Sequence, residues 1–179
     1  MEITENFLKS QIEEILKNDF ILRCDVKGQN LVEKTDVRID YMLYPKQHLI
    51  ESGFEPDWIG LEVKFIKDFS FADRGKKSHL LWQAITYSQS KFNIDENNIE
   101  IRPYFVAVYV GDFEFQNDEK SKEWWALLNL AQYGGVGWLK IIKSPNLGWV
   151  IDFNGGRYYG QKRGRGSLKL PQKRHVGTY

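Results

Sequence analysis

The sequence predicts an α/β domain, a mixed central sheet flanked by helices, with one added helix and a C-terminal β-hairpin. Three observations carry that prediction. Leu8, Ile12, Ile15 and Leu16 repeat at helical spacing near the start. Three β-forming runs follow at 20–26, 36–43 and 58–65. A second helical stretch at 77–92 then leads into an apolar run at 101–110, the order expected of a crossover to a parallel strand.

In chain order, Thr4 is placed to cap a first helix running to about Lys17, where Asn18-Asp19 breaks the pattern. The 20–26 strand meets a turn signal, Lys27-Gly28-Gln29-Asn30, and the 36–43 strand closes at Pro45. Residues 46–57 carry Pro, Gly and polar groups and read as a loop before the 58–65 strand. In the 77–92 helix, His79, Gln83 and Tyr87 are spaced by four and share one face; a lone His there is more often structural or solvent-facing than a DNA contact. Pro103 interrupts the 101–110 run early. The added helix at 123–133 bears Trp124-Trp125, expected in the core or a dimer contact rather than as a base-stacking platform. Gly134-Gly135 ends it, and 138–142 with 148–153 forms the hairpin around Ser144-Pro145-Asn146.

A chain of 179 residues reads as a single domain, assigned here to 1–155, with a core large enough to need no staples. Cys24 is the only cysteine, which excludes an intramolecular disulfide and a Cys-rich zinc site and suits a reducing cytoplasm. No apolar run approaches the ~20 residues that cross a bilayer, and the polar start is unlike a secretory signal, so no membrane partner is expected. The formal net charge of +1 is unevenly spread: seven of the 25 Lys and Arg lie in 153–179, where there is no Asp or Glu. The last segment, 156–179, is expected to be a flexible basic arm. Its Arg157, Lys162, Arg163 and Arg165, interleaved with Gly and with Tyr158 and Tyr159, have the composition that tracks phosphates and stacks on bases; a solvated terminus has it too.

Asp40 and the run Gly60-Leu61-Glu62-Val63-Lys64-Phe65 carry the chemistry. Alternation along a strand puts Glu62 and Lys64 on one face, while Leu61, Val63 and Phe65 enter apolar packing. Successive strands are usually neighbours, which lets Asp40 and Glu62 share an all-oxygen site suited to Mg²⁺ or Mn²⁺. Lys64 beside that site would offset charge on a scissile phosphodiester and orient the attacking water. After the third strand, Arg74, Lys76 and Lys77 lie in a loop with Phe69 and Phe71 and suit phosphate contact, although an ordinary loop with core aromatics has the same look.

Asp40 within Val37-Arg38-Ile39-Asp40-Tyr41, then Glu62-X-Lys64, then a helix with Gln83-X-X-X-Tyr87, resembles the PD-(D/E)XK nuclease superfamily over residues 4–110. The trailing Gln-X-X-X-Tyr is similar to the extra motif of its RecB-type and phage-exonuclease-like branches. The resemblance implies a restriction-endonuclease-like αβββαβ core and a divalent metal on Asp40, Glu62 and the Val63 carbonyl. It also implies Lys64 as the catalytic lysine, with Gln83 and Tyr87 positioning water or DNA. Pro56-Asp57 lies too near Glu62 to come from a separate strand, so Asp40 is taken as the ligand. Some members add a first-helix Glu; Glu5 falls within the apolar sector while Glu13 and Glu14 lie off its edge, and a carboxylate in the first turn also complements the helix dipole. The expected activity is Mg²⁺-dependent cleavage of DNA in phage or mobile-element DNA processing, recombination, junction processing or restriction, with a homodimer if both strands are cut. RNA stays open as substrate, because the site reads a phosphodiester and not a sugar. The rival expectation is a non-catalytic nucleic-acid-binding or inhibitory module on the same fold.

Overall fold

The Thr4 hydroxyl accepts the N–H of Phe7 at 3.2 Å and so caps the first helix, α1 (Glu5–Leu16). The computed structural model describes residues 4–66, 74–94, 99–111, 119–142, 148–153 and 157–160. Leu8, Ile12 and Leu16 are the buried stripe of α1, each worth roughly 1.5–3 kcal/mol of apolar burial.

The next two strands, β1 (Phe20–Asn30) and β2 (Asp36–Pro45), form an antiparallel pair from Phe20↔Pro45 to Gln29↔Asp36. The turn predicted at 27–30 is therefore strand. Gly28 serves a close approach instead: a Cβ there would lie 2.1 Å from the carbonyl oxygen of Lys91 on a neighbouring strand. The chain reverses after Asn30, whose Oδ1 accepts the N–H groups of Val32 and Glu33 at 2.8 Å, with Lys34 at φ 57°.

The segment predicted as a loop holds a short helix, α2 (Gln47–Glu51), before β3 (Ile59–Val63). The second long helix, α3 (Arg74–Ser88), begins earlier than predicted and stops earlier. Residues predicted as its last turn form β4 (Ser90–Asn93), with Ser90 Oγ donating to the Thr86 carbonyl at 2.7 Å. The single run predicted at 101–110 divides around Pro103 into β5 (Glu100–Ile101) and β6 (Val106–Tyr109). Then come α4 (Glu119–Tyr133), β7 (Gly137–Ile142), β8 (Gly148–Phe153) and β9 (Arg157–Gly160). The hairpin thus forms as predicted. Arg157–Gly160, assigned from sequence to the arm, pairs with β8.

Among the described residues the strands form one mixed sheet in the order β5-β4-β1-β2-β3-β6-β7-β8-β9. The β3–β6 and β6–β7 pairs are parallel and the remaining pairs antiparallel, so α3 lies on the crossover from β3 to β6. One core lies between α1 and the sheet, with Tyr41, Leu43, Leu61 and Val63; the other lies between the sheet and α3 and α4, with Ile39, Met42, Val106 and Val108. Trp124 is buried in the second core and Trp125 is half exposed, so the tryptophan pair divides between core and surface. Among the described residues no helix is long and apolar enough to cross a membrane.

The two strands that frame the site change face together. Phe20, Tyr41 and Leu43 belong to the α1-side core, while Val26 and Ile39, of the same parity in their strands, belong to the other. Strict alternation is therefore broken between them. The break falls at Asp25 and Asp40, with Asp25 at φ 50°. Asp40 thus stands where residues reach the sheet from α1 as well as from α3.

Candidate active site

β2 and β3 pair through Leu43↔Ile59, Met42↔Gly60 and Tyr41↔Leu61, and the pairing stops there. Side chains take over beyond that point. The Val63 N–H donates to Asp40 Oδ2 at 2.8 Å, and the Asp40 N–H reaches Glu62 Oε2 at 3.4 Å. The two carboxylates so exchange backbone donors across the opening between the strands, and each orients the other's chain. Gly60, two residues before Glu62, lets Ile39 and Val106 pack closely over β3. A Cβ on it would lie 2.7 Å from Ile39 Cδ1 and 3.1 Å from Val106 Cγ2.

Glu62 is 5 % exposed. Its pKa is pushed up to about 8, first by burial and then by the charge of Asp40, with the Asp40 N–H, Lys64 and Lys9 opposing. A buried carboxylate whose proton affinity is raised by burial and by a neighbouring carboxylate marks a site short of positive charge. Among the described residues the cation in contact with Asp40 is on α1: Lys9 Nζ lies 2.5 Å from Asp40 Oδ1 and 3.7 Å from Glu5 Oε1. Lys9 has a raised pKa, since the hydrogen bond and charge of Asp40 outweigh the effect of burial. Lys64, just past β3, has its Nζ 3.5 Å from Glu5 Oε2. The ion pairs thus run Lys64, Glu5, Lys9, Asp40, with Glu62 at the closed end.

Of the three first-helix carboxylates, Glu5 alone joins this network. Glu13 instead accepts the Tyr41 hydroxyl at 2.7 Å, and Glu14 is exposed. From α3, Tyr87 donates to the Arg38 carbonyl at 2.8 Å and accepts from Gln83 Nε2 at 3.3 Å. Burial, then the charges of Glu62 and Asp40, push the Tyr87 pKa up, so the hydroxyl keeps its proton and anchors β2 two residues before Asp40. Among the described residues Gln83 Oε1 is a buried atom with no hydrogen-bond partner. His79, on the same helix face by spacing, is exposed.

The side chains of Arg74, Lys76, Lys77 and Arg157, and the whole of Lys162, Arg163 and Arg165, lie outside the described residues. Arg74, Lys76 and Lys77 belong to α3 and not to the predicted loop. Asp57 folds back to accept the Trp58 N–H at 3.0 Å, at the opposite end of β3 from Lys64. The residue that sequence reasoning missed is Lys9. Its only signal was its place four residues after Glu5, a spacing that ordinarily marks a surface helix pair.

Among the described residues no three His, Cys, Asp or Glu side chains cluster to hold a metal. What converges is two carboxylates and the backbone at the end of β3. The two carboxylates are oxygen donors of the kind that fits a hard ion keeping several waters, as Mg²⁺ does. Comparison of the chain with family models, with curated proteins and with solved structures finds no match. The fold and site define a mixed α/β protein with a buried glutamate and a partly buried aspartate at the opening of two strands.

Proposed function

We propose that the protein is a divalent-metal-dependent DNA nuclease of the PD-(D/E)XK type, built on a restriction-endonuclease-like core of α1, β1, β2, β3, α3 and β6. The observation that carries this reading is the meeting of Asp40 and Glu62 where β2–β3 pairing stops, with Lys64 just beyond. Asp40 and Glu62, with the Val63 carbonyl, would hold Mg²⁺ or Mn²⁺. The cation, when bound, supplies Lewis-acid charge beside the phosphate and makes a water there more acidic. Lys64 offsets the charge that develops on the phosphate oxygens. Tyr87 fixes β2 through Arg38, and the free Gln83 Oε1 is an acceptor able to orient a water. Glu5 holds Lys64 toward the site.

A second reading, a non-catalytic nucleic-acid-binding module, is favoured by one contact: Asp40 is already paired with Lys9. One experiment separates the two. The purified protein and Asp40→Ala are incubated with linear, circular single-stranded and branched DNA in Mg²⁺, Mn²⁺ or EDTA. Metal-dependent cutting that disappears in the variant establishes the nuclease, and a cut circle makes it an endonuclease. Binding without cutting by the wild type selects the module.

A further inference from the structure

Lys9 is unlike an ordinary surface lysine. Its Nζ lies 2.5 Å from an aspartate whose side chain is 14 % exposed, whereas its helix partner Glu5 is farther off at 3.7 Å. It stands in the wall of a cavity of about 260 Å³ between α1 and β1–β2, beside Asn6, Ser10 and Asp40. The residues of the ion-pair network, Glu5, Asp40, Glu62, Lys9 and Lys64, sum to one negative charge when all are ionised. A divalent cation at Asp40 and Glu62 would reverse that sum and repel the ammonium already touching Asp40. A route away is short, because Glu5 is within ion-pair reach and the cavity is open beside it.

We infer that Lys9 is the built-in counter-ion of this site: it occupies Asp40 in the metal-free protein, yields it to a divalent cation, and then serves as a phosphate contact beside the scissile bond. The inference rests on the nuclease reading and adds a residue to it. Lys9 thereby makes metal binding weaker than the two carboxylates alone would give, and it couples the arrival of metal to the arrival of substrate. With both present, the cation faces the two carboxylates and the ammonium faces a phosphate oxygen.

The test uses the full chain and two readouts other than cleavage. Mn²⁺ affinity is measured by calorimetry, and affinity for a labelled duplex is measured in Ca²⁺ across a salt series, for wild type, Lys9→Gln, Lys9→Met, Lys9→Arg and Asp40→Ala. Lys9→Gln and Lys9→Met should bind Mn²⁺ about tenfold tighter, the size expected for removing one close competing charge. They should bind DNA more weakly, with the log–log salt slope reduced by about one unit. Lys9→Arg should stay near wild type in both. Mn²⁺ affinity unchanged or lowered in both neutral variants overturns the inference and leaves the nuclease reading standing. Mn²⁺ affinity unchanged in Asp40→Ala overturns the metal site, and the inference with it.

Discussion

Among the described residues two lysine–aspartate pairs are similarly close, and only one of them belongs to a candidate site. Lys140 and Asp152 join β7 to β8 across an intact ladder, Trp138↔Asp152 and Lys140↔Val150, with Lys140 also 4.3 Å from the centre of the Trp138 ring. Lys9 and Asp40 join a helix to a strand at the point where a ladder ends, with the buried Glu62 beside them. The first pair sits over satisfied backbone, and both charges are about one-third exposed. In the second, the other oxygen of the aspartate takes up a backbone N–H left by missing strand pairing, and the neighbouring carboxylate is left without full compensation. A close ion pair is therefore a poor marker of function; an interrupted ladder with surplus charge is a better one.

The largest expected effect falls on the second pair's surroundings. Asp40→Asn or Lys64→Ala should each reduce metal-dependent cleavage at least about 10³-fold, the scale of losing a principal electrostatic group. Circular dichroism should show the fold intact, and a cleaving Lys64→Ala would break the assignment of that lysine. Next comes pH. In EDTA, Glu62 binds its proton with a folded pKa of about 8 against an ordinary 4.5, so the native state holds the extra proton between those values. Stability from this group should fall as pH rises from about 4.5 to 8 and level off above. Glu62→Gln should remove the slope and be about 1–3 kcal/mol more stable than wild type at high pH, as urea titrations would show.

Two smaller effects sharpen the contrast. Tyr87→Phe removes the donor to the Arg38 carbonyl and should cost about 1 kcal/mol in thermal stability, with a loss of cleavage that exceeds the loss of fold. Lys140→Met, at the control pair, should change stability by less than about 0.5 kcal/mol and leave metal affinity untouched; a metal effect there would end the distinction drawn between the pairs.

Much of the framework was legible because local pattern and tertiary role agree. The α1 stripe, the strand bearing Glu62 and the β7–β8 hairpin each have a periodicity that their packing uses. Asp40 and Glu62 were readable as partners because consecutive strands usually pair. What was hidden depends on distant neighbours. Gly28 carries a turn signal, yet its smallness is needed for the approach of β4. Ser90 to Phe92 continue a helical pattern, yet an open edge of β1 captures them as a strand. Lys9 could not be found by spacing, since only the joint change of face at Asp25 and Asp40 brings that aspartate within reach of α1.

The sheet order also measures out where nucleic acid would be touched. β9 lies four strand intervals from β3, through β6, β7 and β8, which is about 19 Å across the sheet. Among the described residues β9 is the edge strand of the sheet, whereas Lys9 and Lys64 stand at the carboxylates. At about 3.4 Å per base step, that offset is five or six base pairs of duplex. Removing residues 161–179 while sparing β9 should shorten the protected footprint on one side only and flatten the salt dependence of binding. The position of the cut itself should not move.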